Sequence, residues 1–176
     1  MRSEALVNLE PGLFAPQYPI LVDSKGFGSQ KKFYRKVFSE IEDVIPHIYE
    51  KFAGRERWPY LRINCSVGNL KSGPKGYDAA VLKPGRNLGE YNLVFNQNNP
   101  EHLGLYGTAG TFTHEITHMI PMSLGYKLSE YKTEKANIEA LKKAEKKKIA
   151  KLVEAGSGYT GKYTRSKSSY IKGTSN

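Results

Sequence analysis

The stretch GTFTHEITHMIP, residues 110–121, carries two histidines four residues apart with a glutamate directly after the first. On a helix, His114 and His118 fall on one face. Two neutral imidazoles placed this way can reach a single zinc ion at about 2.0–2.1 Å. Glu115 is turned about 100° from His114 by the helical period. It therefore suits a second role. A bound metal lowers the pKa of water to about 7, and a nearby carboxylate can take that water's proton as it attacks a carbonyl. The order His-Glu-x-x-His is needed for this division of labour. With four His and 14 Glu in 176 residues, a chance match is expected at about 0.007 per chain of this length. Phe112, Ile116, Met119 and Ile120 make a separate apolar face on the same helix, and Thr113 and Thr117 flank the histidine face, which suits a cleft. His47, beside Pro46, and His102, in a polar loop, are expected to be non-ligands. Cys65 sits in an alternating apolar stretch and reads as a core residue.

FTHEITHMI resembles the active-site helix of the zincin metallopeptidases. The resemblance spans roughly residues 30–120. It implies a long backing helix, a twisted sheet whose edge strand binds the substrate peptide, and then the active-site helix, with peptide-bond hydrolysis as the activity. In this chain Thr117 stands where many zincins have Gly or Ala. The third ligand separates the classes of zincin. The metzincin positions hold Pro121 and Leu124, no histidine follows His118, and no aspartate follows Asp78. A glutamate is left, as in gluzincins, with Glu130, Glu134, Glu139, Glu145 and Glu154 as candidates. EKANIEA resembles the third-ligand helix of several gluzincins, and Glu134 is the choice within the chain, with Ile138 and Leu141 on its face to pack on the active-site helix. SSYIKGTSN offers a second possibility. It resembles the segment before the third-ligand helix in zincins of the anthrax lethal factor type. That likeness implies Tyr170 as the oxyanion-stabilising residue and a ligand glutamate beyond Asn176. Both possibilities stay open at this point.

The elements that must position these groups are legible from periodicity. Residues 1–28 are rich in Pro and Gly and read as an extended arm with one short strand at PILVD. Phe33, Val37, Ile41, Val44, Ile48 and Phe52 form one helical stripe between Ser29, a candidate N-cap, and Gly54, with Pro46 expected to kink or split the helix. Alternation predicts strands at YLRINCSV and EYNLVFN, with a shorter one at YDAAVL. The histidine helix is expected over about Tyr106–Ile120, limited by Pro121. A second helix is expected over roughly Glu130–Ala155, with sparse apolar positions at Tyr131, Ile138, Leu141, Ile149 and Leu152. The predicted fold is α+β: a zincin-like domain with a backing helix, a small twisted mixed sheet, an active-site helix and a protruding basic helix. Its parts are an arm (1–28), a catalytic core (29–126), a basic helix (127–156) and a flexible basic tail (157–176).

Hydrophobic content of 39% and charge of 25% are those of a globular chain. No apolar run approaches the ~18 residues needed to span a bilayer, and the N-terminus lacks the pattern of a signal peptide. One cysteine excludes an internal disulfide. The net charge of +10 is uneven: residues 1–126 hold 14 Lys/Arg and 12 Asp/Glu, while residues 127–176 hold 13 and 5. This asymmetry points to an acidic partner or nucleic acid through residues 127–172, with a solvated lysine helix as the plainer reading. Two rivals thus stand beside a zinc peptidase acting on a peptide or protein substrate. One is a zincin-fold structural or binding component of a larger assembly, such as a virion or toxin. The other is a basic nucleic-acid-associated protein.

Overall fold

The computed structural model describes residues 19–71 and 76–159. The chain is α+β. Strands β1 (Ile20–Gly26), β2 (Leu61–Gly68), β3 (Ala80–Pro84) and β4 (Glu90–Asn96) form one sheet in the order β1-β2-β4-β3. β1, β2 and β4 are mutually parallel, and β3 is an antiparallel edge strand on β4. The helices are α1 (Lys31–Ile41), α2 (Ile45–Glu50), α3 (Asn99–His102), α4 (Gly104–Ser123), α5 (Glu130–Lys143) and α6 (Lys147–Tyr159).

The period-two pattern of the strands sets one apolar face against the helices. Val22, Leu61, Ile63, Leu93 and Phe95 are buried, while Arg62, Asn64, Asn92 and Lys83 lie on the other face. β1 falls within the stretch expected to be an arm, and its parallel pairing with β2 makes residues 20–26 part of the sheet. The expected backing helix is split, as Pro46 foretells. Pro46 sits in the first turn of α2, where its missing N–H costs nothing. Ser29 does not cap α1, which is entered through a short 3-10 turn at Gly28–Gln30.

α4 is buried on nearly all sides. Phe112 packs on Phe38 of α1 and Phe95 of β4, with ring centroids 4.3 and 4.9 Å apart. On the far side Gly110 meets α6 so closely that an added Cβ would lie 2.6 Å from a methyl of Val153. α4 also runs through Pro121 to Ser123, and Gly125 in the left-handed region then closes it.

The expected single helix over 130–155 is two helices. Glu145 adopts a φ of 61°, and the N–H groups of Glu145 and Lys146 return to the carbonyls of Lys142 and Leu141 at 2.9 and 2.8 Å. This Schellman closure ends α5 and turns the chain. α6 then lays Ile149, Ala150 and Val153 in the core instead of protruding. Two residues expected to be apolar contacts, Tyr131 and Leu152, are exposed, while small residues such as Ala136 and Ala140 carry the packing. Among the described residues no helix is long and apolar enough to cross a membrane.

Candidate metal centre

α4 and α5 run antiparallel along a polar seam. The Ser129 side chain accepts the Lys132 N–H at 3.2 Å and fixes the start of α5, so Glu130 occupies its first turn. Glu130 lies 12 residues after His118 and bridges both histidines: Nε2 of His118 is 2.9 Å from one carboxylate oxygen, and Nε2 of His114 is 3.1 Å from the other. One turn on, Glu134 meets Nδ1 of His114. One turn further, the Asn137 amide donates to the Gly110 carbonyl at 3.3 Å. His114, His118 and Glu115 are 6%, 7% and 4% exposed, so the group is held away from bulk water.

His114, His118 and Glu130 each offer one ligand atom, and these atoms all lie within 4.8 Å of one another. A tetrahedral ion with bonds of about 2.0–2.1 Å sets its donors roughly 3.4 Å apart. The 2.9 and 3.1 Å separations run to different oxygens of Glu130, so for one of its oxygens to serve as a ligand beside both rings the carboxylate would have to turn. The three residues could together hold a metal ion. A further observation fits: Oε1 of Glu115 is buried and has no hydrogen-bond partner within the protein. An acceptor left this way fits one that faces a bound water.

The electrostatics follow from burial and proximity. Burial alone would lower the pKa of His114, but the carboxylates of Glu134 and Glu130 outweigh it and hold the ring well above the usual histidine range. His118 is lowered, by burial first, with the cationic His114 adding to the effect against the Glu130 hydrogen bond. Burial pushes Glu130 up, but hydrogen bonds from both histidines bring it well below the ordinary carboxylate range. Glu115 is pushed up to about 8 by burial, eased by His114 and raised further by Glu130 and Glu134.

Sequence reasoning thus brings His114, Glu115 and His118 to one place. Glu134, its choice of third ligand within the chain, instead sits on the opposite ring nitrogen of His114, and Glu130 takes the position facing both Nε2 atoms. Glu130 was among the candidates, and the signal that could have singled it out is the Ser129 cap. Tyr170 lies outside the described residues. Thr113 and Thr117 do not line a cleft: both are fully buried and bond the carbonyls of Gly110 and Thr113 at 3.1 and 2.7 Å. His47 lies near Glu50 at 3.6 Å and His102 stacks on Tyr77, both apart from the group. Cys65 is a core residue whose thiol burial pushes up. Comparison with known protein families, with curated proteins and with solved structures finds no match.

Proposed function

We propose that this chain is a zinc-dependent peptidase of the zincin type. The observation that carries the reading is the convergence of Nε2 of His114, Nε2 of His118 and the Glu130 carboxylate beside a buried Glu115. Two imidazoles and one carboxylate are the protein ligands of catalytic zinc sites that keep one position open. Bound there, zinc supplies an acidified water and a Lewis acid for a carbonyl. Glu115 would accept the proton of the water whose oxygen attacks the scissile carbonyl. As the C–N bond breaks, Glu115 gives that proton to the departing amine. Glu134 holds Nδ1 of His114 and so fixes which nitrogen faces the metal. β3, the antiparallel edge of the sheet, offers a strand edge to which an extended peptide can add.

Metal analysis with peptide-library cleavage tests the reading. Wild-type protein supplied with zinc should hold close to one ion. His114→Ala, His118→Ala and Glu130→Ala should each lose most of it. Glu134→Ala should keep the ion with affinity weakened by about 10–100-fold. Glu115→Gln should bind zinc as wild type does and cut nothing, since its amide cannot take a proton. A wild-type protein that takes up no transition metal would sink the proposal. Cleavage by Glu115→Gln at the wild-type rate would remove Glu115 from its role.

A further inference from the structure

Residues 127–159 contain nine lysines, five glutamates and no arginine. The fold changes what that composition presents to solvent. Glu130 and Glu134 are turned inward onto the histidines, which leaves Glu139, Glu145 and Glu154 as the outward acids. Two of these are already matched, Glu139 by Lys51 and Glu154 by Lys142 at 2.9 Å. Lys146 reaches Asp43 at 3.4 Å, and Lys148 lies over the Tyr106 ring. Lys127, Lys132, Lys135, Lys143, Lys147 and Lys151 are exposed. The surface of α5 and α6 is therefore more basic than its sequence, while residues 1–126 carry a balance of only +2.

Helix stability does not explain this placement. Lys147 and Lys148 stand in the first turn of α6, which contains no acid, and the macrodipole disfavours cations there. Lys147 and Lys151 lie one turn apart on the same side, with Lys143 closing α5 just before them. A duplex presents one negative charge about every 1.7 Å of its axis. We infer that the outer surface of α5 and α6 binds the phosphate backbone of double-stranded nucleic acid without reading its sequence. The absence of arginine matters, because lysine neutralises phosphate as a point charge whereas base reading favours the arginine fork. A lipid surface fits less well. Among the side chains described on these helices, Leu152, half exposed, and Tyr131 are the large apolar ones that reach solvent.

The test is an anisotropy titration of two short labelled duplexes of unrelated sequence with the full chain, between about 50 and 200 mM salt. Both should bind equally, with log K falling linearly against log salt by about 0.9 for each phosphate neutralised. Lys143→Glu, Lys147→Glu and Lys151→Glu together should reduce that slope by about 3 and weaken binding at least about tenfold at low salt. Unchanged melting shows that the triple variant is folded, and the matching Lys→Gln triple should shift binding in the same direction. Glu115→Gln should bind duplex as wild type does, so failure of the peptidase reading leaves this one standing. Absence of binding at low salt overturns it. So does a triple variant with wild-type affinity, or tighter binding to phosphatidylserine vesicles or polyglutamate than to duplex.

Discussion

Glu115 is a carboxyl group in a place that disfavours its charged form. Its folded pKa stands near 8, against an ordinary value of about 4.3 for an unfolded glutamate, with burial as the main cause. The sign of the linkage follows. Below the unfolded value both states hold the proton and folding is not affected. As pH rises from there through 8, the unfolded chain gives up its proton while the folded chain retains it, and stability falls. Glutamine has no proton to give up. In chelator-treated protein, Glu115→Gln should melt with wild type near pH 4.5 and increasingly above it towards pH 8. A gap that does not vary with pH would mean that Glu115 ionises freely when folded. The residue proposed as the base is thus one that destabilises the resting fold. The positions of His114, Glu115 and His118 were legible because their spacing is the period of the helix itself. The choice between Glu130 and Glu134 was not, because residues four apart share a helical face. Where α5 begins sets which glutamate faces both Nε2 atoms, and that depends on the hydrogen bond that Ser129 Oγ accepts from the Lys132 N–H.

At the scale of elements, α5 is held in two different ways. Its second half buries Ala140 and Leu141, whereas its first half buries Thr133, Ala136 and Asn137 and is joined to α4 by His–Glu contacts. Few apolar contacts mean a low free energy of local opening. A metal bound by His114, His118 and Glu130 adds its binding energy to that half. Removing it should raise hydrogen exchange over residues 126–137, with little change in α4 or at Ile149–Val153. Equal protection of 126–137 with and without zinc would show that packing alone holds the first half of α5. The strands and α4 could be read from alternation and period, but the break at Glu145 could not. Gly125 and Glu145 both adopt positive φ and both close a helix by the same pair of backbone hydrogen bonds. Only the glycine announces that conformation in the sequence. With the break hidden, the lysines of 142–151 read as the middle of one exposed helix. The burial of α6 therefore depended on a contact that periodicity does not contain, the close approach of Val153 to Gly110.

At the scale of the whole molecule, α4 joins two layers. Phe112, Ile116 and Met119 belong to the same continuous core as Val22, Ile63 and Phe95 of the sheet and Leu141, Ile149 and Val153 of α5 and α6. Surface ion pairs from Lys51 to Glu139 and from Lys146 to Asp43 tie the residues flanking α2 to α5 and the start of α6, though exposed pairs of this kind add little. A single core implies a single cooperative transition. The His–Glu group lies between α4 and α5, so an ion bound there would favour the folded state by mass action, whether it is released by opening of the first half of α5 or of the whole core. Zinc at 100 times its dissociation constant should then stabilise the fold by about 2.7 kcal/mol. For a chain of this size that corresponds to a rise of about 5–10 °C in melting temperature. Differential scanning calorimetry should show one transition moved as a whole. His118→Ala should melt at the same temperature with and without zinc, because its two remaining donors hold the ion weakly. Two transitions, with zinc moving only one, would show that α4–α6 unfold apart from the sheet. The metal would then stabilise a helical unit instead of the molecule.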